Sequence, residues 1–242
     1  MAQSRHIVTA FDQDLRGISA RIAEMGGLAE EQLSSAMEAL RDRDSELANE
    51  VIEADRRLDA MEMALEKSAL EIIALRQPMA DDLREVVAAL KIASTLERIG
   101  DLAKNIAKRT LILNQSEPLK VVSSVHRLGK QVQTLTAEAL DAYTARDEAL
   151  SVSVWKRDVE IDEMHNSIFR ELITYMMEDQ GTITLCSQLL FVVKNLERIG
   201  DHATFIAEMT YFVVKGLPLS DDRPKSNDWD GLSSADEPSR DA

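Results

Sequence analysis

The chain of 242 residues carries 43 Asp and Glu against 28 Lys and Arg, a formal net charge of −15. That balance argues against nucleic acid or an anionic membrane surface as a partner, because both demand a basic face. Apolar residues make up 45% of the chain, enough for a substantial core, while only 9 Gly and 5 Pro leave room for few turns and long elements.

Prolines occur only at 78, 118, 218, 224 and 238, and the segments between the first three are rich in Ala, Leu, Glu, Arg and Met. These are strong helix formers, free there of the strongest helix breaker. The predicted helices run over 4–42, 46–76, 79–114, 119–145, 149–178 and 182–215. Aspartate-rich joints at Arg41-Asp42-Arg43-Asp44 and Ala145-Arg146-Asp147 supply N-cap chemistry for the second and fifth helices. Pro78 and Gly181 mark two further turns. In the third helix Leu96, Ile99, Ala103 and Ile106 follow the 3.6-residue period, as Ile161, Met164, Ile168 and Leu172 do in the fifth. The fold class is all-α. From Gly216 onward the chain holds three of the five prolines, seven acids and three bases without periodicity, and it reads as a disordered acidic tail containing Trp229.

The helical part is an internal repeat. LERIGDLAKNIA at 96–107 returns as LERIGDHATFIA at 196–207, with nine of twelve positions identical at an offset of 100. Gly26 matches Gly129, Arg43-Asp44 matches Arg146-Asp147, and Asp55, Asp59 and Met61 match Asp158, Asp162 and Met164, all at an offset of 103. Two three-helix units over 1–116 and 117–215, followed by the tail 216–242, account for the chain.

Each unit carries two carboxylate pairs spaced i, i+4: Asp55/Asp59 and Glu97/Asp101, then Asp158/Asp162 and Glu197/Asp201. Such a pair shares one helix face and repels itself, so something cationic must offset it. Arg98, Arg198, Lys104 or Lys108 offers an internal offset; a divalent metal ion is the alternative, because clustered hard oxygens suit such cations. A helical wheel turns Glu97 and Asp101 nearly opposite the apolar stripe and sets Asp55 and Asp59 at the flank of Leu58, Met61 and Leu65. If the second and third helices of a unit are neighbours, their pairs meet at the surface.

Gly100 and Gly200 stand at matching places inside helices, where glycine needs a close contact or room for a ligand to justify its cost. His165 and His202 lie beside the second unit's pairs as further candidate ligands. Only Asp162-x-x-His165 approaches the Glu-x-x-His motif of di-iron bundles, which argues against a redox site. No nucleophile–base arrangement or phosphate-cradling loop is present, and the single cysteine, Cys186, sits in the apolar stretch CSQLLFVV, so no enzyme activity is expected. One cysteine cannot form an intramolecular disulfide, and the N-terminus lacks an apolar leader core, so a cytoplasmic location is expected.

The doubled LERIGD signature, the E(D)xxxD pairs and the opening FDQDLRGISARIAEMGGLAEEQL resemble the PhoU family of phosphate-specific transport system accessory proteins, over about residues 5–215. The resemblance implies two three-helix bundles side by side with pseudo-twofold symmetry. It also implies surface sites for iron, zinc or other divalent ions, with manganese and magnesium fitting the same oxygen donors. Carried over, the ligands are Asp55, Asp59, Glu97, Asp101, Asp158, Asp162, Glu197 and Asp201. Family members often carry Asn in the slot that Phe205 fills here, so the two sites need not bind equally. The resemblance further implies a homodimer and a negative regulator of the phosphate-starvation response, bridging the transporter ATPase, PstB, and the sensor histidine kinase, PhoR. A carboxylate-bridged metal-storage or di-metal protein and a purely structural helical interaction protein are the other readings of the residues themselves. Of the charge of −15, residues 216–242 contribute −4 and the eight candidate ligands −8, so most of the excess lies in the tail and the two clusters.

Overall fold

The computed structural model describes residues 2–219, with side-chain detail from Gln13 onward. The tail beyond, including Trp229, lies outside the described residues. Six long helices follow one another: α1 (Ala2–Asp42), α2 (Ser45–Arg76), α3 (Asp81–Leu113), α4 (Val122–Ala145), α5 (Glu148–Glu178) and α6 (Ile183–Lys215). A single 3-10 turn, Gln180–Thr182, precedes α6. The predicted elements agree to within about three residues at every end. Helix α3 starts later than predicted because Ala80 takes φ 49° and ψ −111°, outside helical space, directly after the Pro78 turn.

The α1–α2 and α4–α5 joints are built alike. Arg43 (φ 59°) and Arg146 (φ 52°) both adopt the left-handed conformation that closes a helix C-terminus. Asp44 N then donates to Ala39 O at 3.0 Å and Asp147 N to Ala142 O at 2.9 Å. Asp44 Oδ1 accepts from the backbone of Glu46 and Leu47, and Asp147 Oδ1 from that of Leu150. Each cap contributes about 1 kcal/mol. The two arginine side chains have diverged. Arg43 donates to the carbonyls of Asn114 (2.9 Å) and Ser116 (2.6 Å), tying the end of α3 to its own unit. Arg146 instead crosses to Glu85 of the other unit.

Helices α1–α3 pack on one another, as do α4–α6, and the two units join through α3 against α6 and α1 against α4. Helices α3 and α6 run antiparallel. Arg109, near the end of α3, stacks 4.5 Å above the Phe191 ring near the start of α6, while Gly216 at the end of α6 lies against Arg84 near the start of α3. Leu96, Ile99, Ala103 and Ile106 are fully buried, as are Leu196, Ile199, Ala203 and Ile206, and one continuous core spans both units. The α1–α4 contact repeats the pseudo-twofold in its side chains: Leu140 of α4 fills the space over Gly26, and Met37 of α1 fills that over Gly129. Both socket and filler are related by the offset of 103 seen in the sequence. Among the described residues, no helix is long and apolar enough to cross a membrane.

Candidate functional site

The carboxylate pairs of α2 and α5 are not uniformly at the surface. Asp55 is 3% and Asp158 2% exposed, whereas Asp59 is exposed and Asp162 half-buried. Asp55 belongs to the stripe Val51, Asp55, Leu58, Leu65, Ala69 and Ile72 that α2 turns inward. Asp158 sits likewise among Val154, Ile161, Ile168 and Leu172 of α5. This corrects the flank position expected from the wheel. Continuing the 4-3 spacing one step N-terminal of Leu58 and Ile161 reaches both aspartates, so the signal was present in the hydrophobic period. Glu97 and Asp101 of α3, half-buried, do face outward as expected, and α2 and α3 are neighbours.

In the first unit the internal cation is Lys104. Its Nζ donates to Asp55 Oδ2 on α2 and, at 2.5 Å, to Asp101 Oδ1 one turn back on α3. Burial alone would lower the ammonium's pKa, but the hydrogen bonds and charges of Asp101 and Asp55 outweigh it, and the net shift is upward. The ion bridge thus persists throughout the neutral range. Asp55 Oδ1 and the buried Gln32 Oε1 of α1 have no hydrogen-bond partner among the described residues. Both face the same small space: a Cβ on Gly100 would stand 2.7 Å from Gln32 Oε1, 2.7 Å from Leu58 Cδ1 and 3.6 Å from Asp55 Oδ1. Gly100 therefore permits close packing of α3 on α1 and α2. Gly200 does the same against Ile161, with 3.2 Å from its missing Cβ to Ile161 Cγ2.

In the second unit Thr204 takes the place of Lys104. Its buried hydroxyl lies 3.0 Å from both Asp158 Oδ1 and Gly200 O. A hydroxyl has one proton to donate, and the carboxylate is the stronger acceptor. Lys194 pairs with Glu197 at 2.6 Å from the rim, its side chain 47% exposed. His165 Nδ1 lies 3.3 Å from Asn166 Oδ1. His202 lines a groove of about 580 Å³ between α3 and α6, with Arg98, Asp101, Arg198 and Asp201. Burial, followed by the nearby Arg98, keeps its pKa below the usual imidazole range. Cys186 is fully buried and its thiol is pushed up by burial, which suits a core position.

Among the described residues, no three His, Cys, Asp or Glu side chains are grouped so as to hold a metal ion. At the first cluster the residues do not fit such an ion as they stand, because the Lys104 ammonium lies between the two aspartates a metal would share. Sequence reasoning singled out Lys104 only as one of several candidate counter-charges, and it passed over Gln32 and Thr204. Positions 104 and 204 are among the three mismatches in the otherwise shared twelve-residue segment, and that difference carried the signal.

Glu97 feels the cluster most directly. Burial, then Asp101, Glu62, Asp59 and Asp55, raise its pKa above the ordinary glutamate value. A carboxyl raised in the folded state favours folding while protonated, and that contribution is lost as pH rises through the folded-state pKa. Replacing Glu97 with Gln in the presence of chelator should therefore stabilise the protein by about 0.5 kcal/mol at pH 7. The gain should vanish below about pH 4, where the wild-type carboxyl is protonated in both states. Paired urea titrations at the two pH values check this, and a loss of stability at pH 7 would contradict it.

Comparison with known proteins gives a consistent result. A family model described as PhoU domain matches residues 22–110 and again 125–210, once in each three-helix unit. The phosphate-specific transport system accessory protein PhoU homolog of Caulobacter vibrioides is 50% identical over 223 residues, spanning 92% of this chain and 97% of that protein. The homolog of Zymomonas mobilis is 50% identical over 214 residues, spanning 88% and 90%. The crystal structure of PhoU from Pseudomonas aeruginosa superposes with a TM-score of 0.84 at 39% identity, covering 86% of this chain and 100% of that one. The phosphate transport system regulatory protein PhoU from Streptococcus pneumoniae gives 0.81 at 28%, covering 87% and 99%.

Proposed function

The chain belongs to the PhoU family, and from that premise we propose that it is an accessory protein of a phosphate transport system that restrains the phosphate-starvation response. In this reading it bridges the transporter's ATPase and a sensor histidine kinase at the cytoplasmic side. High phosphate and an assembled transporter hold it in a complex that keeps the kinase from signalling. A homodimer is part of the same proposal. The observation that carries it is the match to phosphate transport accessory proteins at 50% identity over 92% and 88% of the chain. The absence of a nucleophile–base arrangement in the sequence supports an adaptor over an enzyme. Divalent-ion binding belongs to the same proposal at the second unit, where threonine stands at the position of the first unit's lysine; Asp158, Asp162, Glu197 and Asp201 carry hard oxygen donors there but are not grouped around one point, so an ion would have to gather them.

Deleting the gene tests the proposal. In phosphate-rich medium the deletion strain should express phosphate-starvation genes well above the wild-type level. A plasmid copy should reverse it. Unchanged low expression would refute the regulatory role, and failure of the tagged protein to co-purify with either partner would refute the bridge.

A further inference from the structure

We infer that the ammonium of Lys104 is the resident cation of the first carboxylate cluster and closes that cluster to divalent metal ions. The inference goes beyond the regulatory role and does not depend on it.

The oxygens around this point form a cation-seeking set drawn from three helices. Gln32 Oε1 comes from α1, Asp55 from α2 and Asp101 from α3. Gln32 and Asp55 are 5% and 3% exposed, and one oxygen of each has no donor among the described residues. Two buried acceptors facing one space without a donor call for positive charge nearby. Lys104 supplies it, reaching Asp55 Oδ2 and Asp101 Oδ1 together while its side chain is only 20% exposed. A metal ion shared by Asp55 and Asp101 would have to occupy the space between the same two carboxylates. It would have to expel a tethered ammonium whose effective concentration far exceeds that of any free ion.

The second unit provides the internal contrast. Asp158 matches Asp55, Gly200 matches Gly100 and Asp201 matches Asp101, but Thr204 replaces Lys104 and Leu135 replaces Gln32. A β-branched hydroxyl brings no charge, and it satisfies one oxygen of Asp158 in place. The two copies have kept the buried aspartate and changed what offsets it.

The experiment maps Mn2+ onto the full-length protein by paramagnetic broadening of backbone amide signals, with the Lys104 form and Lys104→Thr compared. Both proteins carry Glu197→Gln and Asp201→Asn, so that no ion in the second unit reaches Asp101 across the groove the two units share; with Lys104 in place, the amides around Asp55 and Asp101 should then stay sharp at an equimolar amount of Mn2+. In Lys104→Thr, the same signals should broaden, because Asp55, Asp101 and Gln32 then offer three or more oxygens to a hard ion. The variant's thermal midpoint in Mn2+ should rise relative to chelator, and that rise should be lost in Lys104→Thr/Asp101→Asn. Should Lys104→Thr fail to fold, Lys104→Gln, which keeps a donor for Asp55, takes its place. Broadening centred on Asp55 and Asp101 with Lys104 in place would overturn the inference. Sharp signals there in both proteins alike would overturn it too, since the lysine would then be excluding nothing.

Discussion

Replacing Lys104 with Met is expected to lower the unfolding free energy by about 2–4 kcal/mol at pH 7, measured by urea denaturation. The substitution keeps an unbranched side chain of similar length, so helix propensity and packing change little. What it removes is the only hydrogen-bond partner Asp55 has among the described residues. Asp55 is 3% exposed, and a buried carboxylate without a partner must either stay charged at a large desolvation cost or take up a proton. Breaking a fully buried pair costs about 3–5 kcal/mol, and the expected figure is reduced because Lys104 retains some solvent contact. The second carboxylate adds little, since the Asp101 side chain is 45% exposed. The double variant Lys104→Met/Asp55→Leu removes both charges together and should recover most of the loss, to within about 1 kcal/mol of wild type. A single variant as stable as wild type would show that the bridge contributes nothing to the fold.

In the second unit, Thr204→Val should cost about 1.5–3 kcal/mol, the range for a hydrogen bond to a charged group. Valine matches threonine in shape but removes the hydroxyl that donates to Asp158, in a position where both residues are buried. The loss should be smaller than at Lys104, because only one neutral donor disappears. Thr204→Ser, which keeps the hydroxyl and deletes a methyl, should retain the hydrogen bond and lose only the burial of that methyl, about 1 kcal/mol. Equal losses for Val and Ser would assign the effect to packing and remove the hydroxyl from the account. Together the two series ask whether the matched aspartates, Asp55 and Asp158, are held by different chemistry in the two halves of one repeat.

The helices, their joints and the duplication were all legible in the chain. Asp44 and Asp147 are caps whose partners lie within three residues, and Leu96, Ile99, Ala103 and Ile106 show their buried face by spacing alone. The repeat also disclosed the glycine sockets in part, since Gly26 and Gly129 match in sequence, although nothing near either residue names Leu140 or Met37 as its filler. The candidate site was legible as eight carboxylates and no further. The wheel treated Asp55 and Asp59 as one pair, yet the fold buries the first and exposes the second, because α1 and α3 close over only one side of α2.

Periodicity and capping are written within a few residues of each other, so the chain by itself determined an all-α, twice-repeated fold with acidic clusters on matched helices. The partner of each buried aspartate depends on contacts between positions far apart in sequence. Lys104 meets Asp55 across 49 residues, Thr204 meets Asp158 across 46, and Gln32 reaches Gly100 from a third helix. Those encounters exist only once the helices pack, since a lysine three residues from Asp101 on an isolated α3 would pair with it alone. Tertiary packing therefore decided that the first cluster carries its own cation, while a hydroxyl serves the buried aspartate of the second.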